Sequence, residues 1–165
     1  MISTKLQTYL DQAGVQYDRH THSTAYTSQD LAESVHAPGG EIVKSVILKA
    51  DEGILVMCVL SATETANLDI LRKKIGCQVL RLASESEFSE AFPTCEPGAM
   101  PPFGNLFEMP VYCESNLSEI KEIEFNAGTH TETTRMAFAD YERLVKPEMV
   151  HFAEPFQKHG QRLAA

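Results

Sequence analysis

The sequence has little cysteine and no long apolar run, and both shortages restrict the classes of protein to which it can belong. Its four cysteines are widely spaced, which favours reduced thiols over a disulfide framework or a zinc site. They are Cys58, Cys77, Cys95 and Cys113. No apolar stretch is long enough to span a bilayer, and the polar, amphipathic amino terminus does not resemble a secretory signal. These shortages predict a cytoplasmic protein without a membrane partner.

Basic residues are scarce relative to acidic ones. The chain carries 14 Lys and Arg against 23 Asp and Glu, which gives a formal net charge of −9. Such a balance argues against broad, non-specific binding of nucleic acid, because it would repel a polyanion. A local basic patch remains compatible with it.

Several motifs that identify common enzyme classes are missing. There is no Gly-x-Ser-x-Gly elbow, no P-loop, no dinucleotide-binding glycine pattern and no His-Glu-x-x-His. His20 and His22 could form a metal site with His130, but histidines near a chain end are more often surface residues. The sequence therefore predicts no metal and no cofactor.

The order of the predicted elements indicates a single α/β (α+β) domain. With 165 residues the chain can bury a core without disulfides or metal. Capping boxes and helical spacing predict helices over residues 4–13, 27–35, 67–74, 84–92 and 137–144. Apolar and β-branched runs predict strands over residues 15–20, 41–48, 54–60, 77–82, 110–113, 122–125 and 129–136. Hairpins and short helices without regular βαβ units are typical of a mixed sheet.

Lys44 is the unusual residue of the strand over 41–48. Side chains alternate along a strand, so Lys44 shares a face with Ile42, Val46 and Leu48. A lysine on an apolar face must find a partner, lose its proton or open onto a cleft. The alternative is an edge strand on which the lysine prevents sheet-to-sheet pairing.

The run over residues 94–110 is a long loop that is both stiff and apolar. It contains four prolines and two glycines and has no periodicity. Such loops are usually packed against the body of a protein and functional. The free amides of Gly98, Ala99 and Met100 could form a nest for an oxyanion or a carbonyl oxygen. The alternative is a structural turn that only packs Phe103.

The predicted strand over 129–136 is polar on both faces, so it should lie at a sheet edge or line a wet cleft. His130 follows a turn at Gly128 and could hold a substrate hydroxyl or a water. Alone, such a residue is more often an exposed histidine.

In this order, these segments resemble the family of YbaK and prolyl-tRNA synthetase-associated editing domains. The matching positions are His22, Lys44 within residues 43–48, Gly98 to Pro102 with Phe103 and Gly104 following, residues 126–132 and residues 140–144. The resemblance assigns residues 1–147 to the editing domain and leaves 148–165 as a carboxy-terminal tail.

The resemblance implies a mixed, barrel-like sheet with flanking helices and a cleft for the aminoacylated 3′ end of tRNA. In the family, the lysine that matches Lys44 contacts the phosphate of the terminal adenosine and is needed for hydrolysis. The loop that matches residues 98–102 contributes backbone groups around the ester, and a positioned water attacks, helped by the substrate's own hydroxyl or amine. The implied catalytic residues are Lys44, Gly98 and His130. The implied substrate-binding residues are His22, Ala99, Met100, Pro101, Pro102 and Gly128.

The leading hypothesis is a trans-editing hydrolase that cleaves the ester of a tRNA mischarged with Ala, Cys, Ser or Thr. An aminoacyl ester is already activated, so a positioned water and a stabilised oxyanion can suffice. A pocket beside the ester would select small side chains. The alternative is a non-catalytic module that binds a tRNA end or a nucleotide. A third reading, a small-ester hydrolase unrelated to tRNA, lacks the expected nucleophile motif.

The expected partner is the acceptor end of aminoacyl-tRNA, and an aminoacyl-tRNA synthetase is a further candidate. A tRNA-binding protein with this net charge should gather its cations on one face. The candidates are Lys44, Lys49, Arg72, Lys73, Lys74 and Arg81. For residues 72–74 the alternative is a solvated last turn of a helix.

Overall fold

A computed structural model describes residues 4–24 and 39–155 of the chain. Its helices are α1 (Thr4–Ala13), α2 (Leu68–Ile75), α3 (Glu85–Phe88) and α4 (Phe138–Val145). Its strands are β1 (Tyr17–Thr21), β2 (Val43–Ala50), β3 (Leu55–Ser61), β4 (Glu64–Ala66), β5 (Leu80–Leu82), β6 (Val111–Glu114), β7 (Glu122–Asn126), β8 (Glu132–Ala137), β9 (Glu148–Val150) and β10 (Ala153–Pro155). The helix predicted over 27–35 lies outside the described residues. Within those residues, every helix is too short or too polar to cross a membrane.

The helix ends follow the capping residues of the sequence. The side chain of Asn67 accepts hydrogen bonds from two backbone N–H groups in the first turn of α2. Gly76 closes the same helix with φ at 83°, a conformation that glycine adopts readily. Gly14 follows the last residue of α1, and Ser84 and Glu87 form the capping box of α3. These predicted ends are confirmed.

The strands form one mixed sheet, one antiparallel sheet and a short ladder. The five-stranded sheet has the order β5-β2-β3-β6-β9, in which β2 and β3 form an antiparallel hairpin and β6 runs parallel to both β3 and β9. The three-stranded sheet has the order β1-β8-β7 and is antiparallel. Strands β4 and β10 pair separately. The mixed α/β architecture predicted from the sequence is confirmed.

Two apolar cores lie on the two faces of the five-stranded sheet. The first core contains Val43, Ile47, Phe103, Phe125 and Tyr141 among others. The second contains Leu48, Cys58, Leu60, Leu71 and Phe152. Strand β2 contributes alternate residues to the two cores, as its sequence predicts. The strand lies between β3 and β5 in the sheet order, but β5 pairs only with residues 48–50, and the pairing partner of Lys44 is Leu60 of β3.

Strand β8 differs from its prediction in both start and position. It begins at Glu132, because residues 129–131 belong to the turn after Gly128. It pairs with β1 on one side and with β7 on the other, so the predicted edge position is wrong. Thr134 and Met136 are buried on one side of the strand. The pairing partners of a strand come from distant parts of the chain, which its own composition does not reveal.

Residues 148–155, the first part of the predicted tail, supply one strand to the five-stranded sheet and one to the short ladder. β9 extends the five-stranded sheet beside β6, and Phe152 is fully buried in the second core. The carboxylate of Glu114 accepts hydrogen bonds from the backbone N–H groups of Phe152, at 2.7 Å, and Ala153, at 2.9 Å. Nδ1 of His151 lies 2.6 Å from the same carboxylate. Residues 156–165 lie outside the described part of the chain.

Candidate active site

Lys44 lies close to the point where the two larger sheets meet. A parallel bridge between Ile42 and Glu124 joins β2 to β7. Opposed residues of a parallel pair point to the same side, and so do the residues two positions further along. Lys44 and Asn126 therefore project from the same side of the joined sheets.

The surroundings of Lys44 disfavour its charged form. Its side chain is half-buried, and desolvation lowers the pKa of the ammonium group, although the Cys58 thiol and the Glu64 carboxylate oppose that shift. Within residues 4–24 and 39–155, no carboxylate forms a salt bridge with Lys44. An anion brought by a ligand would supply the missing partner.

The loop around Gly98 is held between β2 and the turn that follows β7. The hydroxyl of Ser45 donates to the carbonyl oxygen of Met100 at 3.1 Å. The N–H of Gly128 donates to the carbonyl oxygen of Ala99 at 2.9 Å. Gly98 itself has φ at +83°, and a Cβ there would lie 3.5 Å from Cε1 of His130. These contacts bring together Gly98, Gly128 and His130, which the sequence assigned to one site.

The nest of three free amides predicted in this loop is wrong in detail. The N–H of Ala99 donates to the carbonyl oxygen of Glu96 at 3.0 Å, inside a turn. The N–H of Gly98 faces Sδ of Met100 at 3.2 Å. A thioether is a weak acceptor, so an oxyanion could recruit the Gly98 amide at small cost.

The other predicted substrate-binding residues of the loop are buried and pack against the body of the domain. The side chains of Ala99, Met100, Pro101 and Pro102 are buried, and the carbonyl oxygen of Pro102 accepts a 2.7 Å hydrogen bond from the hydroxyl of Tyr141. A substrate contact at these positions would therefore come from the backbone.

His130 is buried beside the loop, with 8% of its surface exposed, so the alternative of an exposed histidine is wrong. Its Nε2 lies 2.8 Å from the carbonyl oxygen of Pro97. A carbonyl oxygen only accepts, so Nε2 carries the proton in this contact. The backbone N–H of His130 donates to the Glu96 carboxylate at 2.8 Å, and the N–H of Glu96 donates to the carbonyl oxygen of Gly128 at the same distance. Glu96 thus clamps the His130 turn onto the loop, a role that sequence reasoning missed.

A row of polar side chains crosses the three-stranded sheet on the side of Lys44. The register aligns His20, Thr133 and Asn126 across β1, β8 and β7. The Glu124 carboxylate, 1% exposed, accepts from Nδ1 of His20 and from the hydroxyl of Thr133. Nη1 of Arg135 lies 3.8 Å from it. This buried network was also missed, because each member comes from a different strand.

His22, the early histidine of the resemblance, is tied to the turn that carries His130. Its backbone N–H donates to the carbonyl oxygen of Thr131 at 2.9 Å, and its Nδ1 lies 2.6 Å from the carbonyl oxygen of Ser23. Nε2 of His22 is buried without a hydrogen-bond partner in the part of the chain that the structure describes. His20, His22 and His130 have separate partners, and the described residues contain no group of three metal-ligating side chains.

The predicted basic patch is largely neutralised by neighbouring carboxylates. Asp69 pairs with Arg72 at 2.9 Å and with Lys73 at 3.0 Å within α2. Glu87 pairs with Lys49 and Arg81, and the hydrogen bond from Arg81 is the main cause of its strongly lowered pKa. These contacts favour the alternative of a solvated helix end for residues 72–74.

Comparisons with known proteins identify the family. The family model described as the aminoacyl-tRNA editing domain matches residues 22–144. The "Multifunctional Ser/Thr-tRNA deacylase ProXp-y" of Escherichia coli K12 is 30% identical over 152 residues, which cover 90% of each chain.

Two solved structures share the fold. One is described as a candidate trans-editing enzyme for prolyl tRNA synthetase; its TM-score is 0.79 at 23% identity, over 93% of this chain and 99% of that one. The other, hypothetical protein APE2540, has a TM-score of 0.83 at 16% identity, over 91% and 99% of the two chains. The chain therefore belongs to the family of aminoacyl-tRNA editing domains predicted from its motifs, and it is an aminoacyl-tRNA deacylase.

Proposed function

We propose that the protein hydrolyses the ester of a tRNA mischarged with a small amino acid from the set Ala, Cys, Ser and Thr. Serine and threonine come first, because the relative with 30% identity carries them in its name. The observation that carries the proposal is the clamp that holds Gly98, Gly128 and His130 together beside the start of β2.

The chemistry assigned to this site needs no nucleophilic side chain. Burial raises the pKa of the Cys58 and Cys113 thiols to about 12, so neither supplies a thiolate near neutral pH. In the proposed mechanism a water attacks the ester carbonyl, and the N–H of Gly98 turns from the Met100 sulfur to the developing oxyanion. The acyl C–O bond then breaks, the ribose oxygen leaves with a proton from the attacking water, and the amino acid is released as its carboxylate. His130, fixed by Glu96 and Pro97, orients the water or the substrate's amino group.

In this proposal Lys44 binds the phosphate of the terminal nucleotide. The ammonium group loses hydration in its half-buried position, and a phosphate would stabilise its charged form. The acidic balance of the chain and the paired cations of α2 limit the contact to the acceptor end. His22 and the backbone of residues 99–102 complete the proposed substrate contacts.

The test is deacylation of tRNA charged with alanine, cysteine, serine or threonine by wild type, Lys44→Ala and Lys49→Ala. Lys49 is the matched control, since it lies on the same strand but pairs with Glu87. We expect Lys44→Ala to lower kcat/KM at least about 100-fold with an unchanged circular dichroism spectrum. Lys49→Ala should match wild type. Equal activity of a folded Lys44→Ala protein would refute the assigned role.

A synthetase partner and a cytoplasmic location are further parts of the proposal. A fold neighbour described in connection with prolyl tRNA synthetase makes that enzyme the first candidate for a pull-down.

A further inference from the structure

Asn126, the last residue of β7, has a side-chain oxygen with nothing to bind. Its Oδ1 is buried and has no hydrogen-bond partner among the residues that the structure describes. The residue as a whole is only half-buried, so its amide group borders the surface. A shielded acceptor without a donor is costly and calls for an explanation.

Asn126 lies next to the turn that carries two residues of the proposed active site, Gly128 and His130. It lies two residues before Gly128, whose N–H holds the loop at Ala99. It projects from the same side of the joined sheets as Lys44, through the bridge between Ile42 and Glu124. Asn126 is therefore connected to both parts of the proposed site, to the loop through the turn at Gly128 and to Lys44 through the joined sheets.

The neighbouring polar groups already have partners. The Glu124 carboxylate binds His20, Thr133 and Arg135. Asn126 pairs with Thr133 across strands β7 and β8, but the Thr133 hydroxyl donates its hydrogen bond to Glu124. The Asn126 oxygen is thus left out of the network and suits a donor that arrives with the substrate.

We infer that Asn126 recognises the side-chain hydroxyl of serine or threonine on the tRNA, an inference that rests on the proposed function. Serine and threonine share a β-hydroxyl, which alanine lacks. A site with a buried acceptor selects a substrate hydroxyl and rejects the analogue without it, because the acceptor then stays unpaired. Rotation about the Cβ–Cγ bond of Asn126 can present the oxygen to the cleft, since this torsion is soft.

The experiment compares kcat/KM for one tRNA charged with serine or with alanine. Wild type should prefer serine, and Asn126→Leu, which keeps the branching at Cγ but removes the acceptor, should lower the serine-to-alanine ratio about tenfold or more. Asn126→Asp keeps an acceptor and should hold the ratio within about threefold of wild type. Thr134→Val is the matched control: the Thr134 hydroxyl is also buried and unpartnered in the described structure, but it lies on the opposite side of the sheet. That variant should leave both rates unchanged.

The outcomes distinguish a failure of this inference from a failure of the proposed function. A wild type that hydrolyses neither substrate, nor the same tRNA charged with cysteine or threonine, overturns the proposed function. A wild type without preference, or an Asn126→Leu variant with an unchanged ratio, overturns only the inference. The terminal ribose also offers a hydroxyl, but it is common to both substrates, so its loss as a partner would lower the serine and alanine rates alike. If Asn126→Leu lowers both rates equally with an unchanged ratio, the ribose is the ligand and the assignment to the amino acid is overturned.

Discussion

At the scale of single residues, the site depends on a position where the backbone has a left-handed conformation that favours glycine. Gly98 has φ at +83°, in a region that other residues adopt only at a cost of about 1–2 kcal/mol. Its missing Cβ also leaves room beside the His130 ring, 3.5 Å away. The backbone conformation therefore favours glycine, and the His130 ring lies at van der Waals distance from a Cβ, so a side chain larger than a methyl group would crowd it.

Changing Gly98 to valine separates these two effects when it is compared with Gly14→Val. Gly14 has a similar φ of +68°, but its added Cβ would meet nothing within 4 Å. Both variants should lose about 1–2 kcal/mol of unfolding free energy. Only Gly98→Val should also lose at least about tenfold in deacylation, because its side chain crowds His130 and the loop amide. Full activity of Gly98→Val would remove the oxyanion role of this loop.

Sequence reasoning identified the residues whose chemistry is visible in a short segment. A lysine in an apolar strand, a glycine in a proline-rich loop and a histidine after a glycine turn are such signals, and the structure brings the last two into contact. Asn126 belongs to the matching segment 126–132, but no role of its own was predicted for it. Glu96 and Glu124 were missed, because a lone polar residue looks ordinary until its distant partners are known.

At the scale of elements, the loop over 94–110 connects α3 to β6 and is held at three points to the body of the domain. It is anchored to β2 through Ser45, to α4 through Tyr141 and to the turn after β7 through Gly128. The sequence predicted a packed loop from its prolines and apolar residues, and this is confirmed. The anchors could not be predicted, because they depend on which strands become neighbours.

Glu96 should act as a positioning residue for this loop. It is exposed, yet its carboxylate and its N–H hold the two ends of the His130 turn. We expect Glu96→Ala to lower kcat/KM about tenfold or more, because a small displacement of reacting groups lowers the rate steeply. Glu96→Gln keeps an acceptor oxygen and should recover most of the rate.

The control for Glu96 is Glu90→Ala, an exposed glutamate of the preceding segment. It should have wild-type activity, and the thermal midpoints of all three variants should lie within a few degrees of wild type. Loss of activity in Glu96→Ala that Gln does not restore would point to a role for the charge instead of the clamp.

At the scale of the whole molecule, the two cores are closed by chain segments that lie far apart in the sequence. The order β5-β2-β3-β6-β9 ends on a strand from the predicted tail. The composition of residues 148–155 gave no indication of this pairing, because three-residue strands carry too little pattern to distinguish packing from a free end. The family resemblance stopped at residue 147 for a similar reason.

The Glu114 carboxylate is the structural link between residues 148–155 and the body of the domain. It is fully buried and accepts two backbone N–H groups, besides its contact with His151. Removing it would leave the N–H groups of Phe152 and Ala153 buried and unpaired, at about 1–3 kcal/mol each. We therefore expect Glu114→Ala to lower the free energy of unfolding by about 3 kcal/mol, measured by urea denaturation.

Glu148→Ala, an exposed position on β9, is the control for this prediction and should change the stability by less than about 0.5 kcal/mol. A single, cooperative transition at lower urea in Glu114→Ala would mean that residues 148–155 fold with the editing domain, because loosening them weakens the second core around Phe152. An unchanged midpoint would instead support the domain boundary at residue 147 that the sequence predicts. The same variant should keep the clamp between Glu96 and His130, which lies with the first core, so its activity at low temperature should stay close to that of wild type.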